Sequence, residues 1–263
     1  MRINPRRFFE FLFLLMMGMC LTFICLRNIG DRRAGQLYRE AALLVDVPHV
    51  AEPSPVLLEM SVPDAEAVLD ADKEDAPDGI NLSGLREANA DVVGWIEIPG
   101  VLSYPLLQGN DNAYYLTHAW NGEENAAGAV FLDWRADAGL GGFNTLIYGH
   151  RMRNETMFGC LKHYKDAAFW NENPSVTIFN EDGIWQYDIY AAYEVGLTAE
   201  VYRQVFSSPE EKQDFIQYGL ERSVIDTGIT PTTGDSIITL STCSGSGSDT
   251  RWVVQAVRKV QSA

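Results

Sequence analysis

The sequence SIITLSTCSGSGSDTR, residues 236–251, joins two β-strand patterns through a polar Ser/Gly loop. Aliphatic and β-branched residues predominate at positions 236–242, and a second run rich in such residues covers positions 251–260. Two such runs separated by a short flexible loop predict neighbouring antiparallel strands. Cys243 then lies where a strand becomes a loop, which is where a rigid scaffold presents reactive side chains to solvent.

Further strand patterns occur from residue 92 onward, each bounded by turn residues. They cover residues 92–98, 102–107, 128–133, 144–149, 175–180 and 184–195. Eight short strands in one domain favour a mainly β fold, a closed or nearly closed barrel.

Helical spacing predicts a helix before the first strand, over residues 82–91, and three helical insertions between strands. The insertions cover residues 111–118, 155–170 and 208–224. The last is the clearest, because Ser208 is a favoured helix cap and Pro209 a favoured first helical residue.

The N-terminus carries the pattern of a membrane anchor. Residues 11–26 contain no charged side chain, and a spanning helix needs about 20 residues, with a usual range of about 17–25. We therefore predict a basic cytoplasmic tail over residues 1–7 and a single transmembrane anchor over residues 8–27, which places the rest of the chain outside the cell. A cleaved signal peptide is the competing interpretation, although no Ala-x-Ala site follows the apolar run.

Charge separates the remaining chain into two parts. Residues 46–78 hold ten carboxylates, one lysine and several prolines, so we predict an extended acidic tether over residues 28–80 and a folded domain over residues 81–263. The formal net charge of the whole chain is −16, which argues against a nucleic-acid partner.

The four cysteines predict neither a disulfide framework nor a metal site. Cys20 and Cys25 lie in the apolar N-terminal run, and no CxxC or zinc-ligand spacing occurs. Cys160 is interpreted as a buried apolar residue. We expect no metal.

Two other side chains could assist a thiol at Cys243. His150 follows the strand over residues 144–149, at a strand end, and could exchange protons with a thiol. Arg251 begins the strand after the Ser/Gly loop, where its guanidinium would favour a thiolate or bind an oxyanion. His150 or Arg251 alone would more often be an ordinary surface residue. The hypothesis of a cysteine nucleophile therefore rests on the combination of Cys243, His150 and Arg251.

The segments Asn144–His150, Thr239–Cys243 and Arg251–Val254 together resemble the active-site strands of sortases, specifically of class B. Two further segments are similar to the first strand and to the start of the substrate-facing helix of that family, VGWIEIPG at residues 93–100 and QGNDNAYYL at residues 108–116. The helix predicted over residues 208–224 resembles the class B insertion.

The resemblance implies an eight-stranded sortase barrel and a cysteine transpeptidase without a cofactor. Cys243 would be the nucleophile, His150 the acid and base, and Arg251 the group that holds the substrate carbonyl or oxyanion. The positions that match substrate-binding residues of the family are Asn112, Leu116, Tyr148, Val201, Tyr202, Ser241 and Thr242.

The implied substrate is a secreted protein with a C-terminal sorting signal of the Asn-Pro-x-Thr or Ser/Pro-Pro-x-Thr kind, cleaved after Thr. The implied acceptor is an amine of a lipid-linked peptidoglycan precursor, or a pilin lysine. Two alternatives remain open: a cysteine hydrolase that releases the cleaved protein with water, and an anchored binding module without catalytic activity.

Overall fold

Segments rich in β-branched and aromatic residues form strands, and these strands pair side by side into a closed β-barrel. The computed structural model describes residues 33–45, 81–245 and 249–259, together with positions 13, 15–19 and 22. The strands are β1 (Val92–Ile98), β2 (Leu102–Leu107), β3 (Val130–Leu132), β4 (Asn144–Tyr148), β5 (Ser175–Asn180), β6 (Gly183–Gly196), β7 (Ile237–Cys243) and β8 (Thr250–Arg258).

The barrel order is β1-β2-β3-β4-β7-β8-β6-β5, with β5 returning to β1. The pairs β2–β3 and β4–β7 are parallel, whereas the other neighbours are antiparallel. Parallel neighbours need long crossover connections. The chain between β4 and β7 supplies one, and it includes β5, β6 and most of the helical structure.

Helices lie at the N-terminal end of the barrel and within its connections. From residue 33 onward, the α-helices of the described residues are α1 (residues 33–43), α2 (Ser83–Ala88), α3 (Ala167–Glu172) and α4 (Pro209–Arg222). Three 3-10 helices in the same part of the chain cover Tyr114–Leu116, Phe158–Lys165 and Glu200–Tyr202.

The eight predicted strands are confirmed, but the insertion expected over residues 155–170 is not one helix. A 3-10 helix ends at Lys165 and α3 begins at Ala167, because Asp166 has an extended backbone between them. The Asp166 side chain accepts a hydrogen bond from the Ala168 N–H and caps the new helix. The helix expected over residues 111–118 is likewise reduced to a 3-10 turn at Tyr114–Leu116.

The predicted insertion helix is present as α4. Ser208 caps it through a hydrogen bond from the Glu211 N–H, and Pro209 is its first residue. Phe215 and Ile216 are buried against β6 and β8, in a cluster that also contains Val201. This packing fixes the segment that joins β6 to α4.

α1 packs against the barrel within the stretch that was expected to be a tether. Its buried residues Ala34, Leu37, Tyr38 and Ala41 recur at helical spacing, so one face of the helix is apolar. The Tyr38 hydroxyl donates to the Gly128 carbonyl at 2.5 Å, and the Trp120 indole N–H donates to the Leu37 carbonyl at 2.9 Å. The residues expected to form the tether therefore include a packed helix.

The predicted membrane anchor lies largely outside the described residues. Among the residues that the structure describes, no helix has both the length and the apolar character that crossing a membrane requires. Residues 46–80, the acidic part of the expected tether, also lie outside them.

Tyr38→Phe should lower the free energy of unfolding by about 1–2 kcal/mol, because the buried Gly128 carbonyl would lose its hydrogen-bond donor. Urea denaturation of the variant and the parent protein measures the difference. Tyr114→Phe is the control: the Tyr114 side chain is 44% exposed, so its loss of a hydroxyl should change stability by less than about 0.5 kcal/mol. Equal effects of the two substitutions would contradict the packing described for α1.

Candidate active site

The parallel pairing of β4 with β7 brings two strand ends to the same edge of the barrel. Tyr148 pairs with Ser241 at the end of the ladder, and the Gly149 N–H donates to the Ser241 carbonyl at 3.3 Å. His150 and Cys243 each lie two residues beyond that pair. Cys243 ends β7 and shares a face with Ser241 because side chains alternate along a strand. His150 lies beyond the end of β4, and its side chain lines the same groove as Tyr148, Ser241 and Cys243.

The β7–β8 hairpin adds the third side chain. Cys243 and Arg251 are direct partners in the antiparallel ladder, so their side chains lie on the same face. His150, Cys243 and Arg251 all line one open groove of about 440 Å³. Cys243 is exposed, whereas His150 and Arg251 are partly buried.

A carbonyl orients the imidazole of His150. Its Nε2 lies 2.7 Å from the Leu116 carbonyl oxygen, which can only accept a hydrogen bond, so Nε2 carries a proton. In the neutral ring the unprotonated nitrogen is then Nδ1, which becomes the nitrogen available to take up a proton. Gly128 packs against this contact, and a Cβ there would meet the Leu116 carbonyl at 2.9 Å and the His150 ring at 3.0 Å.

Arg251 and Tyr202 lie on a second wall of the groove. The Arg251 Nη1 donates to the Thr250 carbonyl at 2.9 Å, and the Tyr202 hydroxyl lies 3.1 Å from the Ser241 hydroxyl. Burial raises the pKa of Tyr202, and the Ser241 hydrogen bond and the charge of Arg251 oppose that shift. Tyr202 therefore remains a neutral hydroxyl at the pH of ordinary assays.

A buried carboxylate supports the wall that contains Asn112 and Tyr148. Asp133 accepts hydrogen bonds from the Asn112 Nδ2 at 2.8 Å and from the Tyr148 hydroxyl at 3.1 Å, and it pairs with Arg135 at 2.9 Å. Burial alone would raise the pKa of Asp133, but the hydrogen bonds from Arg135 and Asn112 outweigh it and hold the pKa well below its usual value. The carboxylate is thus ionised.

All but one of the residues predicted to contact substrate line the groove. Its lining includes the predicted residues Asn112, Leu116, Tyr148, Tyr202, Ser241 and Thr242. Val201 is fully buried beneath this surface, where its carbonyl accepts a hydrogen bond from the Asn144 Nδ2 at 3.0 Å. Its neighbour Tyr202, which was also predicted, does line the groove.

Three lining residues were not predicted from the sequence: Phe131, Gly149 and Leu197. Leu197 directly follows β6 and is 50% exposed, so its strand-end position could have identified it. Phe131 lies within the apolar strand β3 and Gly149 carries no side chain, so neither gives a signal in the sequence.

A barrel that holds an exposed thiol beside an imidazole and a guanidinium is the arrangement of a cysteine enzyme. Residues 96–259 match the family described as Sortase domain. Sortase B of Staphylococcus aureus is 32% identical over 177 residues, which cover 67% of this chain and 72% of the relative. The chain therefore belongs to the sortase family, within class B, and is a cysteine transpeptidase.

Solved structures agree with the family assignment. The S. aureus sortase B–substrate complex superposes with a TM-score of 0.65 at 32% identity, covering 69% of this chain and 85% of that chain. A sortase B complexed with triglycine gives a TM-score of 0.64 at 32% identity, covering 69% and 86%. The resemblance to class B sortases and the eight-stranded barrel that it implied are confirmed.

The two cysteines of the barrel should differ in reactivity toward a thiol reagent. Burial raises the pKa of the Cys160 thiol to about 12, and its side chain is 5% exposed, whereas Cys243 is exposed. Iodoacetamide at pH 7.5 should alkylate Cys243 at least about 100-fold faster than Cys160, because the reagent needs an accessible thiolate. Peptide mapping measures each site separately, and Cys160 should react only in denaturant. Comparable rates in the native protein would contradict the burial of Cys160.

Proposed function

We propose that this transpeptidase cleaves a C-terminal sorting motif of secreted proteins, of the Asn-Pro-x-Thr or Ser/Pro-Pro-x-Thr kind, after its Thr. The acyl group would pass to an amine of a lipid-linked cell-wall precursor. The observation that carries the proposal is that His150, Cys243 and Arg251, at the ends of three adjacent strands, line one groove. The structures of relatives bound to a substrate and to triglycine support it.

In the first half of the reaction, the Cys243 thiolate attacks the carbonyl carbon of the motif Thr. The negative charge that develops on the carbonyl oxygen is stabilised by the Arg251 guanidinium, which presents several donors in a fixed plane. The C–N bond then breaks. His150 gives its proton to the departing amine, and a thioester on Cys243 remains.

In the second half, an incoming amine attacks the thioester carbonyl. His150 takes the proton that the amine loses, the C–S bond breaks, and Cys243 leaves as a thiolate. The Leu116 carbonyl holds Nε2 of His150, so Nδ1 carries the proton in both transfers. The groove residues Asn112, Leu116, Tyr148, Tyr202, Ser241 and Thr242 would bind the motif.

The location that we propose for this activity is the outer face of the cell membrane. Residues 8–27 would form a single-pass anchor with the N-terminus in the cytoplasm, which the uncharged run over residues 11–26 supports. The catalytic domain would then meet secreted substrates and lipid-linked precursors at the membrane surface.

A panel of synthetic peptides tests the reaction. The full chain in detergent is incubated with peptides that contain each motif, with and without triglycine, and the products are measured by mass spectrometry. A thioester on Cys243 and a peptide joined to triglycine are expected. If only the hydrolysed peptide is found at every triglycine concentration, the transpeptidation proposal is contradicted and a hydrolase is favoured.

Substitutions test the three proposed roles. Cys243→Ala should abolish product formation, His150→Ala should lower kcat/KM about 100- to 10,000-fold, and Arg251→Lys should lower it about 100-fold or more. Cys160→Ala is the matched control, and it should keep activity within about twofold because that thiol lies in the core. Undiminished cleavage by Cys243→Ala would instead indicate that this cysteine is not the nucleophile.

A further inference from the structure

Asp133 is the one charged side chain that is fully buried among the residues that the structure describes. It directly follows β3 and lies behind the groove rather than in its lining. Burial of an unpaired carboxylate would cost several kcal/mol, so a buried ionised carboxylate needs compensating partners. The Arg135 side chain supplies the opposite charge, through Nε to Oδ1 and Nη2 to Oδ2, each at 2.9 Å.

Two residues of the groove also donate to this carboxylate. The Tyr148 hydroxyl lies 3.1 Å and the Asn112 Nδ2 lies 2.8 Å from the same oxygen, Oδ2. Both donors line the groove and are partly buried. Asp133 therefore contacts one wall of the groove from behind.

These contacts fix the direction of the hydrogen bonds that the wall can make. An ionised carboxylate only accepts hydrogen bonds, so the Tyr148 phenol proton is directed at Asp133. The Tyr148 oxygen then presents only lone pairs to the groove. The Asn112 amide is also held in one orientation, because its Oδ1 accepts from the Trp134 N–H at 3.0 Å while its Nδ2 donates to Asp133.

We propose that Asp133 is a positioning residue that makes Tyr148 a hydrogen-bond acceptor in the groove and thereby selects a peptide segment that carries an N–H donor at that wall. The inference rests on the proposed function, since it concerns how the same groove binds its peptide. Asp133 touches no reacting atom, and its effect on the substrate passes through the Tyr148 hydroxyl and the Asn112 amide.

An amide cannot replace the carboxylate here. Five hydrogen bonds with donor–acceptor distances of 2.8–3.1 Å converge on Asp133, three on Oδ2 and two on Oδ1, and the Gln204 side chain also lies against the carboxylate. In Asp133→Asn, either orientation of the amide turns an NH₂ group toward at least two of these donors. The Tyr148 hydroxyl and the Asn112 side chain would then lose their fixed arrangement without a large change in volume.

The test compares kcat and KM of the full chain for the sorting peptide with triglycine as acceptor. Asp133→Asn should raise KM about tenfold, the effect of about one hydrogen bond, and change kcat by less than about twofold. Tyr148→Phe should raise KM by a similar factor. The double variant should be no worse than the poorer single variant by more than about twofold, because both changes remove the same contact.

The rate of Cys243 alkylation by a small thiol reagent reports the nucleophile without a peptide, and it should stay within about twofold in each variant. Asp137→Asn is the matched control in the same loop. Its carboxylate accepts hydrogen bonds from the Gly139 and Gly141 N–H groups at 3.0 and 3.2 Å, and Asp137 is not among the residues that line the groove. KM should therefore change by less than about twofold in Asp137→Asn.

Three results would overturn the proposal: an unchanged KM in Asp133→Asn, an equal rise of KM in Asp137→Asn, or single-variant effects that multiply in the double variant. If thermal denaturation shows that Asp133→Asn does not fold, Tyr148→Phe decides alone, and an unchanged KM there is contradictory. Failure of the proposed function is a separate outcome, because the parent protein itself would then form no thioester with the peptide.

Discussion

The parallel register between β4 and β7 is the constraint on which the site depends. It sets Tyr148 beside Ser241, and the next two residues of each strand carry His150 and Cys243 to the same edge. A shift by one residue would turn one of these side chains to the opposite face, because strand side chains alternate. The short-range pairing of β7 with β8 in a hairpin then places Arg251 opposite Cys243.

Buried polar groups hold that register in place. The Thr239 hydroxyl donates to Asn144 across β4 and β7 at 2.8 Å, Gln255 on β8 donates to Thr239 at 3.2 Å, and Tyr193 on β6 donates to Gln255 at 2.7 Å. Buried groups of this kind are costly when unpaired, so slipped pairings are penalised. Asn144 also holds the carbonyls of Val201 and Arg203, which flank Tyr202.

The sequence predicts the strands, and the positions of the candidate site residues at strand ends, better than it predicts the connections between strands. Strand patterns located Cys243 and His150 at strand ends, and the cap at Ser208 located α4. The packing of α1 was not predicted, because its hydrogen-bond partners Trp120 and Gly128 lie 83 and 90 residues further along the chain. The burial of Asp133 was not predicted, because a charged residue at the end of a predicted strand is ordinarily interpreted as exposed.

The pairing of β4 with β7 also affects the point in folding at which the candidate site is assembled. Asn144 and Thr239, which meet across β4 and β7, are 95 residues apart in the chain, whereas β7 and β8 are joined by a short loop. Contacts of large sequence separation carry the larger loop-closure entropy and form late. The thiol and the guanidinium can therefore meet in a local hairpin, whereas the imidazole joins them only when β4 pairs with β7. The pairing of β4 with β7 is therefore also the step that assembles the candidate site.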